Sequence, residues 1–387
     1  MPFTEGGSPE GPLREPLLGA LQARCEPSGF LPYDRFMEVA LYAPGVGYYD
    51  RPRSPFGPEG DYYTAPRVHP IFARTLANRL AEVRAAVAPG RPFALVDLGC
   101  GDGTLLAGIL QALGERGNAE GIAAIGIDRA EHRRQATLRA SSSTALRPPP
   151  QSAEALADLG PVTGLILAHE LLDAQPARRL EWDGHRWLEL GFELTGDHLV
   201  PATTGLVHPV PEPSLPRLGT EGSGTVLEVA PAAEGLIREV ADHLDQGLLL
   251  VVDFGAEERE LLAAHPRGTL AAVRAHRAVP TPWAAPGEGD LSTFVNFTRV
   301  RDAARRAGLV EVGYRSQADA LAAWGISTEL EREVESLPTS EAKVRARLAA
   351  KNLLFGFGTY RVLELAPTAP SAGGDGPTRG AWSAGPR

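Results

Sequence analysis

Ten residues, Leu95-Val-Asp-Leu-Gly-Cys-Gly-Asp-Gly-Thr104, restrict the fold more than any other stretch of this 387-residue chain. The apolar run from Phe93 to Leu98 reads as a buried strand, and it ends in glycines at 99, 101 and 103. Glycine tolerates positive φ and lets a ligand approach the backbone closely. Leu105, Leu106, Ile109, Leu110 and Leu113 follow at helical spacing. A strand, a tight glycine turn and a helix start form the opening unit of a nucleotide-binding α/β sheet, where the helix N-terminus offers N–H groups to a ligand. Further apolar strands at 122–127 and 164–168 extend the βαβ rhythm of a parallel sheet.

The glycine spacing selects among nucleotides. A dinucleotide fingerprint reads G-x-G-x-x-G, but position 104, where its third glycine belongs, is Thr. Asp97 stands two residues before the first glycine; a carboxylate there repels a pyrophosphate and suits the ammonium of an amino-acid moiety. The pattern D-x-G-x-G-x-G resembles the first motif of S-adenosylmethionine (SAM) methyltransferases. Asp97, Gly99, Cys100, Gly101 and Gly103 are therefore candidate cofactor contacts. Asp128 ends the second strand, 25 residues past Gly103. An acid at that tip is where a ribose diol is bonded in doubly wound folds, although strand-end aspartates also cap helices.

Composition is permissive. Hydrophobic residues make up 43% and charged residues 22%, as in a globular protein. A net charge of −10 argues against a phosphate-binding surface, so nucleic acid is not an expected partner. No run approaches the roughly 18 apolar residues of a membrane span, and the start lacks an apolar signal region. The expectation is a cytoplasmic protein without membrane insertion. Cys25 and Cys100 lack metal-ligand spacing, and no metal site is expected.

Along the chain, residues 1–15 read as a disordered N-terminus and 16–90 as a helical lid region broken by a Pro/Gly/Tyr loop. Residues 91–365 read as the core, resuming with Gly247-Leu-Leu-Leu-Val-Val-Asp253 and ending in strands near 309–314 and 359–365. Within it, about 177–225 has short alternating segments around an Asp183-Gly184 turn, a β insertion. Residues 366–387 read as a disordered tail.

Eight motifs occur in order. They are Phe36-Met-Glu-Val-Ala-Leu-Tyr-Ala-Pro44, Gly47-Tyr-Tyr49, Gly60-Asp-Tyr-Tyr-Thr-Ala-Pro66, the glycine loop, and His169-Glu-Leu-Leu-Asp-Ala-Gln-Pro176. Val252-Asp-Phe-Gly255, Gly268-Thr-Leu270 and Asp290-Leu-Ser-Thr-Phe-Val-Asn-Phe297 complete the set. Together they resemble the MidA family (the former DUF185 group) of SAM-dependent methyltransferases, over roughly residues 30–365. Its mitochondrial relative is a protein arginine methyltransferase of complex I assembly. The resemblance implies a Rossmann-like class I α/β fold with a mostly parallel sheet, closed by an antiparallel edge strand. It also implies SAM as cofactor and a protein arginine as acceptor. A homodimer stays open.

The 60–66 loop is too polar for core and suits a lid over the cofactor, with Asp61 and Thr64 as contacts; an ordinary surface turn is the plainer alternative. Glu170 and Asp173 stand three apart at the carboxyl end of a strand. If a helical turn begins there, both carboxylates share a face and can grip a guanidinium. First-turn acids favoured by the helix dipole fit the same spacing. The family motifs bring Glu228, Asp253 and Asp290 to the acceptor side. Catalytic candidates are thus His169, Glu170, Asp173, Asp253 and Asp290. The chain departs from the family where His169 replaces Asn, Phe294 replaces His and Asn296 replaces Asp. A small-molecule methyltransferase and a SAM-binding assembly factor without catalysis remain alternatives.

Overall fold

The computed structural model describes residues 13, 15–51, 64–142, 148–210, 216 and 218–368. The chain forms two compact units from interleaved segments. The sheet unit comprises residues 63–171, 236–254 and 303 onward, and the antiparallel unit comprises residues up to 62, 172–235 and 255–302.

The sheet unit carries seven strands, here β1 (Phe93–Leu98), β2 (Ile122–Ile127), β3 (Gln151–Ala153), β4 (Val162–His169), β5 (Leu244–Ala256), β6 (Leu309–Ser316) and β7 (Tyr360–Pro367). Their order is β6-β7-β5-β4-β1-β2-β3. From β5 to β3 every pairing is parallel, and β7 runs antiparallel to both neighbours. The reversed last strand is therefore present, but not at the edge: β7 lies between β5 and β6, and β6 takes the outer position. Apolar periodicity cannot distinguish these two positions, because an inner strand and its neighbour both bury one face.

β1, β2 and β4 match the apolar runs because a parallel strand flanked by helices is buried on both faces. The helix Ile71–Val87 presents Phe72, Leu76, Leu80 and Val83 on one stripe. The helix Thr104–Glu115 presents Leu106, Ile109, Leu110 and Leu113. Both stripes share one core with Leu95, Leu165, Leu248 and Leu250 of the sheet. Each such side chain contributes about 1.5–3 kcal/mol on burial. This core fixes the strand ends from which the site is built.

In the antiparallel unit, Arg178–Trp182, Trp187–Thr195 and His198–Gly205 form consecutive hairpin strands. The first hairpin turns at Asp183-Gly184, where the Asp183 carboxylate accepts N–H bonds from His185 and Arg186. Phe30–Pro32 pairs with Trp187–Thr195, and Val226–Val229 pairs with Arg178–Trp182. The Phe30–Pro32 strand lies inside a region read from sequence as helical. Its three residues are too few for alternation to register, and it is held by pairing with Gly191 and its neighbours. A small sheet of Ala271–Arg274, Arg277–Ala278 and Asp290–Ser292 completes this unit's strands, with Gly255–Ala256 pairing Val295–Asn296.

Candidate cofactor and catalytic site

β1 delivers the chain into the glycine loop. Gly99, Gly101 and Gly103 have φ of 68°, 56° and 78°, the left-handed region that side chains avoid. The N–H groups of Gly99 and Cys100 donate to the Ile127 carbonyl at 2.8 and 3.0 Å, which ties the loop to the end of β2. A Cβ on Gly103 would stand 2.5 Å from Thr137 Cα, and one on Gly99 2.7 Å from Leu171 Cδ1. The loop is thus compressed between the helix Glu131–Ser141 and the turn after β4. Thr137 Oγ1 bonds Cys100 Sγ at 3.2 Å and the Gly101 carbonyl at 3.3 Å. The Cys100 side chain is buried here, and burial raises its thiol pKa. It offers a ligand its backbone only. Asp102 pairs with Arg67 and accepts the Thr104 N–H at 3.1 Å, steadying the start of the following helix.

Asp97 and Asp128 flank this loop. Asp97 is 3% exposed, and burial, with the Asp128 and Asp102 charges adding to it, pushes its pKa up to about 7. Asp128 accepts from the Gly101 N–H at 3.2 Å and from the Ala130 N–H at 3.0 Å. Its pKa is raised by burial, with Arg133 and both hydrogen bonds opposing. The second bond is the capping role that a strand-end Asp commonly plays; the first joins Asp128 to the glycine loop. Thr64 is buried and precedes the short helix Ala65–Val68, with no side-chain capping bond. Asp61 lies outside the described residues.

His169, Glu170 and Asp253 gather at the carboxyl ends of β4 and β5. No helix begins at 170: Glu170 has φ of +48°, rare for a residue with a side chain, and the chain bends instead. Helix-face geometry therefore does not describe Glu170 and Asp173. The turn is braced by Asp253, which is fully buried and accepts the Leu171 N–H at 3.1 Å and the Phe254 N–H at 2.9 Å. The Glu170 N–H donates to the Val252 carbonyl at 2.9 Å. Asp253 thus supports the turn from beneath. His169 packs edge-on against Phe72, and burial lowers its pKa to about 3. Its Nε2 is 3.6 Å from Glu170 Oε1, too long for a hydrogen bond, and a neutral ring makes no ion pair.

The remaining candidates belong to the antiparallel unit. Asp173 is buried, and its backbone carbonyl accepts the Thr293 N–H at 2.9 Å. Asp290 is 8% exposed and accepts from the Tyr49 hydroxyl at 2.7 Å. Glu228 is occupied structurally, accepting from Arg179 Nε at 3.3 Å, the Thr269 N–H at 3.0 Å and Thr269 Oγ1 at 3.3 Å. Phe294 packs edge-on against His265 with ring centres 5.0 Å apart. Sequence reasoning had no role for Leu171, Thr137 or Tyr49. Leu171 and Tyr49 carried a signal only as members of the His169–Pro176 and Gly47-Tyr-Tyr49 motifs, and Thr137 carried none.

A mostly parallel sheet with a positive-φ glycine loop, an acid at the tip of the second strand and carboxyls beyond the fourth defines a SAM-type nucleotide-binding methyltransferase. The sequence pattern of the S-adenosyl-L-methionine-dependent methyltransferase family Methyltransf_28 matches residues 75–315, and the chain belongs to that family. It is 27% identical over 321 residues to the Drosophila melanogaster NDUFAF7 homolog, a mitochondrial protein arginine methyltransferase, spanning 76% of this chain and 71% of that one. Human NDUFAF7, also named a mitochondrial protein arginine methyltransferase, is 24% identical across 89% of this chain and 81% of its own. A COG1565 superfamily member from Burkholderia thailandensis, solved with S-adenosyl-homocysteine, superposes with a TM-score of 0.80 at 27% identity. That match covers 91% of this chain and 92% of the other.

The fold class, the cofactor and the enzyme class expected from sequence therefore stand: the protein is a SAM-dependent methyltransferase. The expected cytoplasmic location does not, because the curated relatives are named mitochondrial proteins. Net charge and the length of apolar runs carry no information on organelle. Among the described residues, no helix is long and apolar enough to cross a membrane. The residues present fit the cofactor. Asp97 is a buried carboxyl whose pKa burial raises to about 7, and a ligand ammonium beside it would favour its charged form.

Proposed function

We propose that this enzyme methylates an arginine side chain on a protein partner. The observation that carries the reading is the Glu170 turn: a carboxylate set at positive φ on the carboxyl end of β4, in a turn whose Leu171 side chain closes on Gly99 of the glycine loop. Strained backbone is retained where it positions a functional group. The arginine acceptor is supported by the names of the relatives and by the supply of carboxylates, which can bind a guanidinium through paired charge-assisted hydrogen bonds.

In this reading Asp97 receives the cofactor's ammonium, Asp128 its ribose hydroxyls, and the Gly99–Gly103 backbone lies against it, with Thr64 a further contact. Bound SAM supplies a sulfonium methyl, so that a nitrogen–carbon bond forms as the sulfur–carbon bond breaks and S-adenosylhomocysteine leaves. Glu170 orients the attacking nitrogen and takes up the proton that this nitrogen sheds after transfer, passing it to solvent. His169, neutral at physiological pH, takes no proton and fixes the wall beside Glu170. Asp253 positions the turn, while Asp173 and Asp290 bind the guanidinium. Positioning and electrostatics carry the rate, since attack on a sulfonium methyl needs little proton transfer beforehand.

The test is transfer of labelled methyl from SAM by the purified protein into lysate of its own deletion strain, with Asp128→Ala as control. A labelled protein band, absent in the control and mapping to arginine, is the expected result. Label confined to small molecules, or no label from protein that binds SAM, overturns the reading.

A further inference from the structure

The helix Ser340–Phe355 has apolar residues on two sides, and the fold uses one of them. Thr339 caps the helix by accepting the Ala342 N–H at 3.2 Å, and Ala346, Ala350 and Leu353 bury its inner side in the sheet unit. On the outer side, Val344, Leu348 and Phe355 are 50%, 59% and 74% exposed. At about 3.6 residues per turn these three fall within about 40° of one another, a single row along the helix. Lone apolar residues are ordinary on a surface. A row of three, on a helix already anchored by its other side, is not required by folding.

The chain's charge pattern singles out the same helix. Both of its lysines, Lys343 and Lys351, lie here, and with Arg347 they recur at every fourth residue. They form a basic row beside the apolar one. Arg345 stands on the other flank and pairs with Glu341, the one acid of the helix. Four cations and one carboxylate leave the helix at +3, within a chain of −10. The distant acids count little at this face, because charges beyond about 8 Å are screened at physiological ionic strength. In the preceding helix, Ile326–Ser336, Glu329 is engaged by Arg116 and Arg332, and Glu333 by Arg74. Its exposed Glu331 and Glu335 limit how tightly an anionic surface can be held.

An apolar row with a basic row beside it is the pattern of a helix lying in the interface of an anionic bilayer. The apolar side chains enter the headgroup layer, and the long basic ones reach lipid phosphates while their methylenes stay with the apolar row. A second copy of this chain would bring the same excess of positive charge to the contact. A protein partner would need a groove cut to a single ridge, whereas a fluid bilayer conforms to it. We propose that the outer face of this helix rests on an anionic lipid surface, with Val344, Leu348 and Phe355 in the headgroup layer and Lys343, Arg347 and Lys351 on phosphates. The association is peripheral and reversible, and it is independent of which acceptor the enzyme methylates.

The experiment sediments the full chain with vesicles of phosphatidylcholine alone, or of phosphatidylcholine with about 30% phosphatidylglycerol. At about 0.1 M salt the anionic vesicles should bind at least about tenfold more tightly than the neutral ones, and at about 0.5 M most of that advantage should be gone. The double variant Leu348→Gln/Phe355→Gln should lose at least about tenfold in binding, with its unfolding midpoint unchanged and its S-adenosylhomocysteine affinity within about twofold of wild type. The triple variant Lys343→Gln/Arg347→Gln/Lys351→Gln should bind the two kinds of vesicle alike. A wild type without preference for anionic vesicles, or a double variant that binds them as wild type does, overturns the proposal. A wild type that ignores vesicles but forms a dimer lost in the double variant assigns the face to a second copy and also overturns it. Capture of a polyglutamate peptide without vesicle binding assigns the face to an acidic protein, with the same consequence.

Discussion

If Asp97 receives the cofactor's ammonium, as proposed, cofactor affinity should depend on pH in a direction that its burial dictates. Its pKa is raised to about 7, first by burial and then by the Asp128 and Asp102 charges. Below that value the empty site holds a neutral carboxyl. An ammonium ligand binds the ionised form better, so binding below pH 7 must expel a proton, and affinity must rise with pH. With a pKa of about 7, roughly one Asp97 in ten is ionised at pH 6 and about three in four at pH 7.5. If the ionised form alone binds, affinity for S-adenosylhomocysteine rises about eightfold between them, then levels off. Titration calorimetry in two buffers of different ionisation enthalpy measures both the rise and the proton released. Asp97→Asn should flatten the profile and cost at least about tenfold in affinity at pH 7.5, the loss of one charge-assisted bond. Asp128→Asn should weaken binding and retain most of the slope. A wild-type affinity that is flat or falls as pH rises, or an Asp97→Asn profile with the slope intact, would refute the assignment of the ammonium to Asp97.

The other expectations concern the scaffold around the site. Gly103→Ala places a Cβ 2.5 Å from Thr137 Cα at φ of +78° and should cost about 2–4 kcal/mol in denaturant unfolding, with S-adenosylhomocysteine binding lost in proportion; an unaltered midpoint would mean that the loop is free to shift. Glu228→Ala removes the acceptor for Arg179 Nε and both Thr269 donors in a buried setting and should cost about 3–5 kcal/mol, whereas Glu228→Gln should cost much less. Equal losses for the two would show that charge, not hydrogen bonding, holds the 268–269 turn. His169→Asn should leave kcat within about threefold of wild type, and neither protein should show an imidazole inflection between pH 5 and 8, because the His169 pKa is about 3. A tenfold drop in kcat with a shifted pH profile would restore a proton-transfer role to the ring.

The glycine loop and the strands that carry it could be read from sequence because their determinants are local. A strand, three glycines and a helix start occupy consecutive positions, and Asp128 follows at a distance set by one helix and one strand. The acceptor half was legible only as a set of motifs. Asp253 ends an apolar strand, which suits a group facing a ligand, yet it lies fully buried with its oxygens on backbone N–H groups. Spacing cannot report this, since it depends on where the β4 turn lands. Glu170 and Asp173 have the separation of neighbours on a helix, but the left-handed φ at Glu170 breaks the periodicity on which that inference relies. Tyr49 and Asp290 are 241 residues apart in the chain, and only the fold shows the bond between them.

The two departures from the family pattern at 294 and 296 look in sequence like the loss of a titratable ring and a carboxylate, and so like damage to the acceptor side. Their surroundings point elsewhere. The Phe294 ring has His265 at its edge, and its N–H donates to Thr269 Oγ1 at 2.9 Å, the hydroxyl that also bonds Glu228. The Asn296 amide donates to Glu258 Oε2 at 3.0 Å, an oxygen that also accepts Arg299 Nε at 3.0 Å. An Asp at 296 would bring a second carboxylate against Glu258 beside one buried guanidinium, and the amide removes that repulsion while keeping a donor for Glu258. Both residues thus have partners of their own, through bonds that brace the Thr269 turn and the Arg299 cluster. Asp290, four residues from Phe294, keeps its own partner in Tyr49. The altered segment is therefore better understood as repacked support for the Thr269 turn and the Arg299 cluster.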